Sequence, residues 1–242
     1  MKISIAIPTW ESHGRGVEFI NDLLRTIEIQ TFKDFEVCIS DHSENDDVLN
    51  VCNQFEDKFK INYSRNLEDR GNGPANTNAA MDLCTGDIIK IMFQDDFFYD
   101  DEALEKIEKE FVNGIDWLVC GSNHTRDDGH NFYWDLYPKW NDGIINGVNT
   151  ISSPSVLASR REVFDKVKFD EKLVMMMDCE YYFHARKLFG DPVYYHDVLV
   201  TNRVHSDQIS SRYLNSSDSK ENHFKEINKE INYCRQKHSI KI

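Results

Sequence analysis

Two adjacent carboxylates follow an apolar run in the first half of the chain. Asp95 and Asp96 follow residues 88–93 with only Gln94 between, and the letters IIKIMF of that run have the composition of a buried strand. Neighbouring carboxylates repel each other unless water or a shared cation separates their charges, and hard oxygen ligands suit Mg²⁺ or Mn²⁺. The pair therefore predicts a divalent-metal site. The alternative for an Asp-Asp pair is a solvated turn.

Asp41 and His205 are two further candidates for a polar site. Asp41 ends a second apolar run and could accept hydrogen bonds from a base or a ribose, although a turn-forming aspartate is the alternative. His205 could ligate the metal, the alternative being a structural or surface histidine. Residues 70–76 (RGNGPAN) approach a helix with two glycines and could bind an anion or simply connect two elements.

Asp178 and Glu180 are the candidates for proton transfer. They follow three consecutive methionines at 175–177 and begin a helical pattern. A carboxylate beside apolar residues at a helix start can serve as a general base. Helix capping by Asp178 is an equally good interpretation of the pattern alone.

The elements that must position these residues alternate between strand and helix over residues 3–93. Strands are predicted at 3–7, 35–40, 60–63 and 87–93, with helical spacing at 19–27, 48–55 and 75–84 between them. This order predicts an α/β fold with a mainly parallel sheet flanked by helices. Ligands of such sheets bind beyond the carboxyl ends of the strands. The polar clusters at 8–11, 41–43 and 94–96 all follow strands and would meet there.

The second half of the chain is less regular. Strands are predicted at 116–120, 155–158 and 193–200, and a helix at 178–188. Residues 121–153 read as an aromatic, loop-like stretch. An amphipathic helix close to the end is indicated by Phe224, Ile227, Ile231 and Cys234. We predict a single domain over 1–242.

Composition excludes several classes of function. The 242 residues carry 28 Lys and Arg against 42 Asp and Glu, a formal net charge of −14. Neutralising the phosphates of a nucleic acid needs a basic surface, so no nucleic-acid partner is expected. An acidic protein that binds a phosphate compound meets a repulsion that a divalent cation usually offsets. No apolar stretch reaches the roughly 18 residues of a membrane span.

Cysteine usage bears on the compartment. The six cysteines are dispersed, form no CxxC motif and fall partly within apolar runs, which predicts buried free thiols in a reducing compartment. The first residues form a strand pattern without the apolar core of a signal peptide. We therefore predict a cytoplasmic protein and leave open a peripheral association with the inner face of the membrane.

Taken together, these motifs resemble family 2 glycosyltransferases with the GT-A fold. The resemblance runs from residue 3 to about 211 and is carried by seven segments in the family's order. They are 3–9 (ISIAIPT), 30–36 (QTFKDFE), 41–46 (DHSEND), Asn78 with Gly86, 93–96 (FQDD), 178–180 (DCE) and 203–210 (RVHSDQIS).

The resemblance implies an inverting enzyme that uses a nucleotide-activated sugar, with a UDP-sugar favoured. Pro8, Thr9, Glu11 and Asp41 would then cradle the nucleoside, with Asp41 on the base. Asp96 would hold Mn²⁺ or Mg²⁺, and Asp95 would bind the ribose or the metal. The remaining roles are Asn78 at the donor, His205 at the metal or pyrophosphate, and Asp178 as general base with Glu180 as its rival.

The sequence departs from the family pattern at three points. The metal motif begins with Phe93-Gln94 in place of an acidic residue, so metal ligation would rest on Asp95 and Asp96. Met177 precedes Asp178 where many members have Glu, and Thr77 stands where many have Arg.

The acceptor and the assembly follow only in outline from the resemblance. A carbohydrate or lipid-linked acceptor in surface polysaccharide or glycan synthesis is expected. Residues 1–112 would bind the nucleotide-sugar, 113–211 the acceptor, and 212–242 would form a helical extension that leaves a homodimer open. The alternatives are a catalytically inactive nucleotide-sugar or carbohydrate-binding protein and a sugar nucleotidyltransferase.

Overall fold

The structure, a computed structural model, describes residues 1–126, 131–206, 208 and 217–240. Within these ranges the helices and strands, short 3₁₀ turns aside, follow one another as β1 (Ile3–Thr9), α1 (Gly16–Glu28), β2 (Phe35–Asp41), α2 (Asp47–Cys52), β3 (Ile61–Arg65), α3 (Gly73–Asp82), β4 (Ile88–Ile91), β5 (Phe97–Phe98), α4 (Ala103–Val112), β6 (Trp117–Thr125), β7 (Phe132–Leu136), β8 (Leu157–Arg160), α5 (Arg161–Lys166), α6 (Met177–Phe189), β9 (Val193–Arg203) and α7 (Ser217–Lys237).

The described strands form one sheet in the order β3-β2-β1-β4-β8-β6-β9-β5, with β7 added beside β6. Pairing from β3 to β4 is parallel throughout. Beyond β4 it is mixed: β8 runs antiparallel to both of its neighbours, and β6 pairs in parallel with β9. The α/β class is therefore confirmed, with the parallel pairing concentrated in the first half.

Helices cover both faces of the parallel part. The chain moves from β1 to β2 to β3 in one direction and then returns through α3 to β4 on the other side of β1. Right-handed crossovers in opposite directions place their helices on opposite faces. Accordingly α1 packs against α2, whereas α3 packs on β1 and β2. Every residue of β2 is buried, as expected for a strand covered on both faces.

Gly86 shows why the loop before β4 takes glycine. Its N–H donates to Ser4 Oγ at 2.8 Å. A Cβ at this position would lie 2.7 Å from the Lys2 carbonyl oxygen, closer than any side chain is tolerated. Glycine therefore lets the loop pass directly over the first strand, and it fixes where β4 begins.

The expectation of a loop over residues 121–153 was wrong in part. β6 continues to Thr125, and β7 follows at Phe132–Leu136. The missed part of β6 carries polar side chains that are buried by pairing with β9; for example, Thr201 Oγ1 donates to Asn123 Oδ1 at 2.7 Å. Polar strands of this kind have no alternating pattern, because tertiary partners satisfy them. The short α5 and β5 also lacked a pattern in the sequence.

Two predictions about the chain's surroundings meet the structure directly. All six cysteines are free and buried, as predicted. None of the helices in the described part of the chain combines the length and the apolar character that a membrane crossing requires.

Candidate active site

Three strand ends meet at the carboxyl edge of the parallel strands. The Thr9 carbonyl accepts the N–H of His42, which follows β2, at 2.9 Å and the side-chain amide of Asn76 at 3.0 Å. Gln94, which follows β4, accepts hydrogen bonds from the Trp10 N–H at 2.9 Å and from the Thr9 hydroxyl. The structure thus brings the polar clusters at 8–11, 41–43 and 94–96 together.

Asp41 is buried at this edge and holds two donors. The Tyr63 hydroxyl donates to its Oδ2 at 2.6 Å, and the Ser43 N–H donates to its Oδ1 at 2.8 Å. The second contact is the local turn that was the alternative for this residue. Each carboxylate oxygen has two lone pairs, so Asp41 keeps acceptor capacity for a further donor.

Arg70 supplies positive charge beside these strand ends. It pairs with Glu11, lies 2.9 Å from Glu44, and donates through Nε to the His42 carbonyl at 2.8 Å. Asn72 then caps α3 by accepting the N–H of Ala75. The glycine-rich loop is therefore a fixed part of the edge, and Arg70 is a candidate that residue-type reasoning did not single out.

Asp95 contacts His205, and Asp96 lies next to Asp95 in the chain. The His205 Nε2 atom lies 3.0 Å from Asp95 Oδ2, which brings two of the three predicted metal ligands together. Asp96 is buried and accepts the Arg203 N–H at 3.2 Å and the Ser153 hydroxyl at 3.3 Å. Burial raises the pKa of Asp96, and the adjacent charge of Asp95 raises it further. Such a carboxylate is stabilised by a cation.

Asp178 lies in the first turn of α6 and is half-buried. Its Oδ2 accepts the Asn149 side-chain amide at 2.7 Å, and its Oδ1 accepts the Cys179 N–H at 2.7 Å. The N-cap position belongs to Met176, so the capping alternative is not what the structure contains. Burial raises the pKa of Asp178, which makes it a stronger base once ionised.

A hydrogen-bonded segment links Asp178 to Asp96. Asn149, bonded to Asp178, also donates to the Ser152 carbonyl at 3.0 Å. The next residue, Ser153, has its hydroxyl within reach of both Asp96 and the Asn202 amide oxygen, the latter at 2.8 Å. Asn149 and Asn202 were not predicted, because nothing in their local sequence separates them from ordinary loop and strand polar residues.

Two predicted site residues have other surroundings. Glu180 is fully buried, and its carboxylate bonds His238 at 2.7 Å and Lys237 at 2.8 Å, both at the end of α7. Residues two apart on a helix point to different sides, so Asp178 and Glu180 diverge. Asn78 joins α3 to the backbone of Phe169. Its side-chain amide donates to the Phe169 carbonyl at 2.9 Å, and its Oδ1 accepts the Phe169 N–H at 3.0 Å. Asp207, Ile209 and Ser210 of the last motif lie outside the described residues.

Residues 4–179 match the model of the family described as Glycosyl transferase family 2. The chain belongs to this family. The match covers more than half of the chain, so the glycosyltransferase expected from the motifs is confirmed at the level of the family. Family membership also favours a glycosyltransferase over the sugar nucleotidyltransferase alternative.

Relatives and solved structures agree with this assignment. An uncharacterised glycosyltransferase of Rickettsia typhi is 24% identical over 233 residues, covering 88% of this chain and 67% of its own length. Staphylococcus aureus TarS, solved in complex with UDP, superposes with a TM-score of 0.65 at 20% identity, over 85% of this chain and 61% of the TarS chain.

A mannosyltransferase from Pyrobaculum calidifontis, solved with GDP-Man and Mn²⁺, superposes with a TM-score of 0.67 at 14% identity, over 93% of this chain and 62% of its own. At these identities the likeness establishes the fold. The chain spans about three fifths of the length of these two solved chains.

Proposed function

We propose that this chain is an inverting glycosyltransferase that moves a sugar from a nucleoside-diphosphate sugar to an acceptor hydroxyl. The observation that carries the proposal is the network from Asp178 through Asn149, Ser152 and Ser153 to Asp96. It connects the proposed base to the proposed cation-binding carboxylate through hydrogen bonds, as the fixed geometry of a two-substrate transfer reaction requires.

The strand ends supply the donor site. Pro8, Thr9 and Glu11 would surround the nucleoside, and Asp41 would accept a base N–H. Arg70, held by Glu11 and Glu44, is placed to offset phosphate charge. A UDP-sugar is the favoured donor, because TarS was solved with UDP and the same fold edge is present here. Because the Pyrobaculum enzyme was solved with GDP-Man, GDP-sugars are tested as the second nucleotide class.

The donor set at Asp95, Asp96 and His205 suits Mn²⁺ or Mg²⁺. Within the described residues, the hydrogen bonds to Asp96 come from the Arg203 N–H and from the neutral hydroxyls of Ser153 and Ser155, so its charge is left for a cation. Two carboxylates and an imidazole fit Mn²⁺ well, and Mg²⁺ with additional water ligands. When bound, such an ion supplies positive charge against the diphosphate that leaves.

Asp178 is the proposed general base. It would take the proton of the acceptor hydroxyl while the hydroxyl oxygen forms a bond to the anomeric carbon. The bond from that carbon to the diphosphate oxygen breaks at the same time, and attack from the opposite face inverts the configuration. The Asn149 amide and the Cys179 N–H each hold one carboxylate oxygen, and the remaining lone pairs of these oxygens would accept the proton.

An exposed aromatic strand is the proposed acceptor surface. In β7, Phe132, Tyr133 and Trp134 are all exposed, Trp134 to 69%. β7 pairs with β6, whose Ser122 hydroxyl lies 3.0 Å from the Ser152 hydroxyl of the network. Aromatic faces stack on sugar rings, which favours a carbohydrate or lipid-linked saccharide acceptor in glycan synthesis. A cytoplasmic location is consistent with the free cysteines.

The test begins with donor binding by the 242-residue chain. Thermal melting is recorded with UDP-sugars and GDP-sugars, each with and without Mn²⁺, because a ligand that binds the native state raises the melting temperature. We expect stabilisation by one nucleotide class, and only when the metal is present. A panel without any stabilisation would contradict the donor site.

Transfer is then measured with the stabilising donor and a panel of saccharide acceptors. Asp178→Asn should lower transfer by about 10²–10⁴-fold and leave donor binding intact, because only proton removal is lost. Asp142→Asn, on a fully exposed aspartate, is the matched control. Donor binding without transfer by the wild type would favour the inactive binding protein instead.

A further inference from the structure

A second cluster of metal-ligating side chains lies at the contact between α6 and the end of α7. Glu180 and His184 are four residues apart and share one side of α6, and His238 directly follows α7. None of these three residues belongs to the network at the carboxyl edge. We infer that Glu180, His184 and His238 form a separate Zn²⁺ site that ties α7 to α6.

The distances fit a single ion. The potential ligand atoms of the three residues all lie within 4.8 Å of one another. His238 Nε2 is 2.7 Å and His184 Nδ1 is 3.8 Å from Glu180 Oε1. Ligands of tetrahedral zinc at about 2.0–2.1 Å are separated by about 3.3 Å, so small side-chain rotations bring the set around one ion.

An unsatisfied atom points to a missing partner. Glu180 is fully buried, and its Oε2 has no hydrogen-bond partner among the described residues. A buried carboxylate oxygen without a donor is costly, so native structures rarely retain one. A cation bound through Oε2 would satisfy this atom, and His238 Nε2 would then ligate the ion in place of its hydrogen bond to Oε1.

The donor set selects the type of metal. Two imidazoles and one carboxylate suit Zn²⁺, whereas Mg²⁺ and Ca²⁺ prefer oxygen ligands throughout. The His184 side chain is 26% exposed, so an ion can reach the cluster, and water can supply a fourth ligand.

Lys237 is the competing cation at this place. Its Nζ lies 2.8 Å from Glu180 Oε1 and 2.7 Å from Asp170 Oδ2. Because Asp170 remains as a partner, the ammonium group need not stay with Glu180 when a metal binds. Its charge should nevertheless weaken metal binding. This gives a signature that an ordinary ion-pair network lacks: removing the lysine should strengthen zinc binding.

The site would stabilise an element that reaches the proposed base. Glu230 of α7 accepts the N–H groups of Val174, Met175 and Met176 at 3.0, 2.9 and 2.8 Å, immediately before α6. Zinc at the C-terminal end of α7 would fix the same helix about two turns beyond Glu230. The inference does not depend on the proposed transfer reaction, since binding and stability report it.

The experiment titrates metal-free protein with Zn²⁺ alone by calorimetry and by thermal melting, with Mg²⁺ as the comparison. Asp96→Asn is the background, so that zinc at the carboxyl edge does not contribute. We expect one equivalent of Zn²⁺, a rise in melting temperature of about 5 °C at saturating metal, and no such shift with Mg²⁺. Bound Co²⁺ should give the absorption of a four-coordinate site.

Variants distinguish the cluster from adventitious binding. His184→Gln should weaken zinc binding at least tenfold, and His196→Gln, on an exposed histidine elsewhere, should leave it unchanged. Lys237→Met should strengthen binding several-fold, which also covers the case in which His184→Gln fails to fold. Equal affinities for wild type and His184→Gln, or no stoichiometric zinc in the Asp96→Asn background, would overturn the inference.

Discussion

A buried carboxylate lies at each end of the parallel part of the sheet, and the protein surrounds the two differently. At the amino end, Glu36 accepts hydrogen bonds from Lys2 at 2.7 Å and Lys60 at 2.9 Å, and from Ser4, Asn62 and Thr85. At the carboxyl end, Asp96 accepts a backbone N–H and a serine hydroxyl, and it lies beside Asp95.

The pKa values of the two groups move in opposite directions for this reason. Burial alone would raise the pKa of Glu36, but hydrogen bonds from Lys2, Thr85 and Lys60 hold it well below its usual range. Burial raises the pKa of Asp96, and Asp95 adds to the effect. Burial alone therefore does not fix the direction of a carboxyl pKa shift, because hydrogen-bonding and charged partners can outweigh it. Glu36 is paired with two lysines, whereas the hydrogen bonds that lower the pKa of Asp96 come from neutral groups.

The largest expected effect comes from removing the acidic charge at the carboxyl end. Asp96→Asn should lower metal-dependent transfer by roughly 10³-fold, because the cation against the leaving diphosphate is lost. Stability should be unchanged or higher, since a buried charge has been removed. Initial rates with Mn²⁺ and a thermal melt test both points. Full activity of the variant would remove Asp96 from the metal site.

The matching change at the amino end should have the reverse outcome. Glu36→Gln leaves Lys2 and Lys60 without their common partner and should destabilise the fold by about 2–3 kcal/mol, moderated because both lysines reach solvent. Donor affinity of the folded fraction should stay the same. Denaturant unfolding gives the first quantity and nucleotide titration the second. A loss of donor affinity at full stability would contradict the purely structural role assigned to Glu36.

A smaller effect on activity is expected from the helix that supports Asp178. Glu230→Ala removes the acceptor of three N–H groups before α6 and should lower kcat about tenfold, because a displacement of the base weakens catalysis. KM for the donor should change little. Glu226→Ala is the control, since Glu226 pairs with Lys229 on the helix surface. An unchanged kcat with a lowered melting temperature would show that α7 contributes to stability and not to the position of the base.

The pH dependence of stability gives the finest test of the two ends. Glu36 binds a proton less readily when folded, so its contribution is complete above its unfolded pKa of about 4.3 and falls as the solution is acidified. Asp96, with a pKa raised to about 8, binds a proton more readily when folded, so stability falls as pH rises from about 3.9 towards 8.

Unfolding free energies across this range, measured without metal, should therefore show opposite slopes. Glu36→Gln should reduce the loss of unfolding free energy on acidification. Asp96→Asn should reduce the loss of unfolding free energy above pH 4. If Asp96→Asn retained the fall above pH 4, the fall would come from another carboxyl group whose pKa burial raises, such as Asp178.

Elements whose positions depend on local pattern were predicted from the sequence. The strands ending at Thr9 and Asp41, the Asp95-Asp96 pair after β4, and Asp178 at the start of α6 follow from apolar periodicity and chain order, because parallel strands must end at the same edge. Family membership followed from the same motifs. The free cysteines followed from their dispersion.

Only the tertiary structure decided which polar residues share an environment. Asp178 and Glu180 look equivalent in the sequence, yet one bonds Asn149 and the other bonds Lys237 and His238. The polar part of β6 forms a strand because β9 supplies hydrogen-bond partners for it. These outcomes depend on contacts between residues 29 to 78 positions apart in the chain, which no local pattern encodes. The sequence determined the strands and their order, whereas long-range packing determined which partners each carboxylate has.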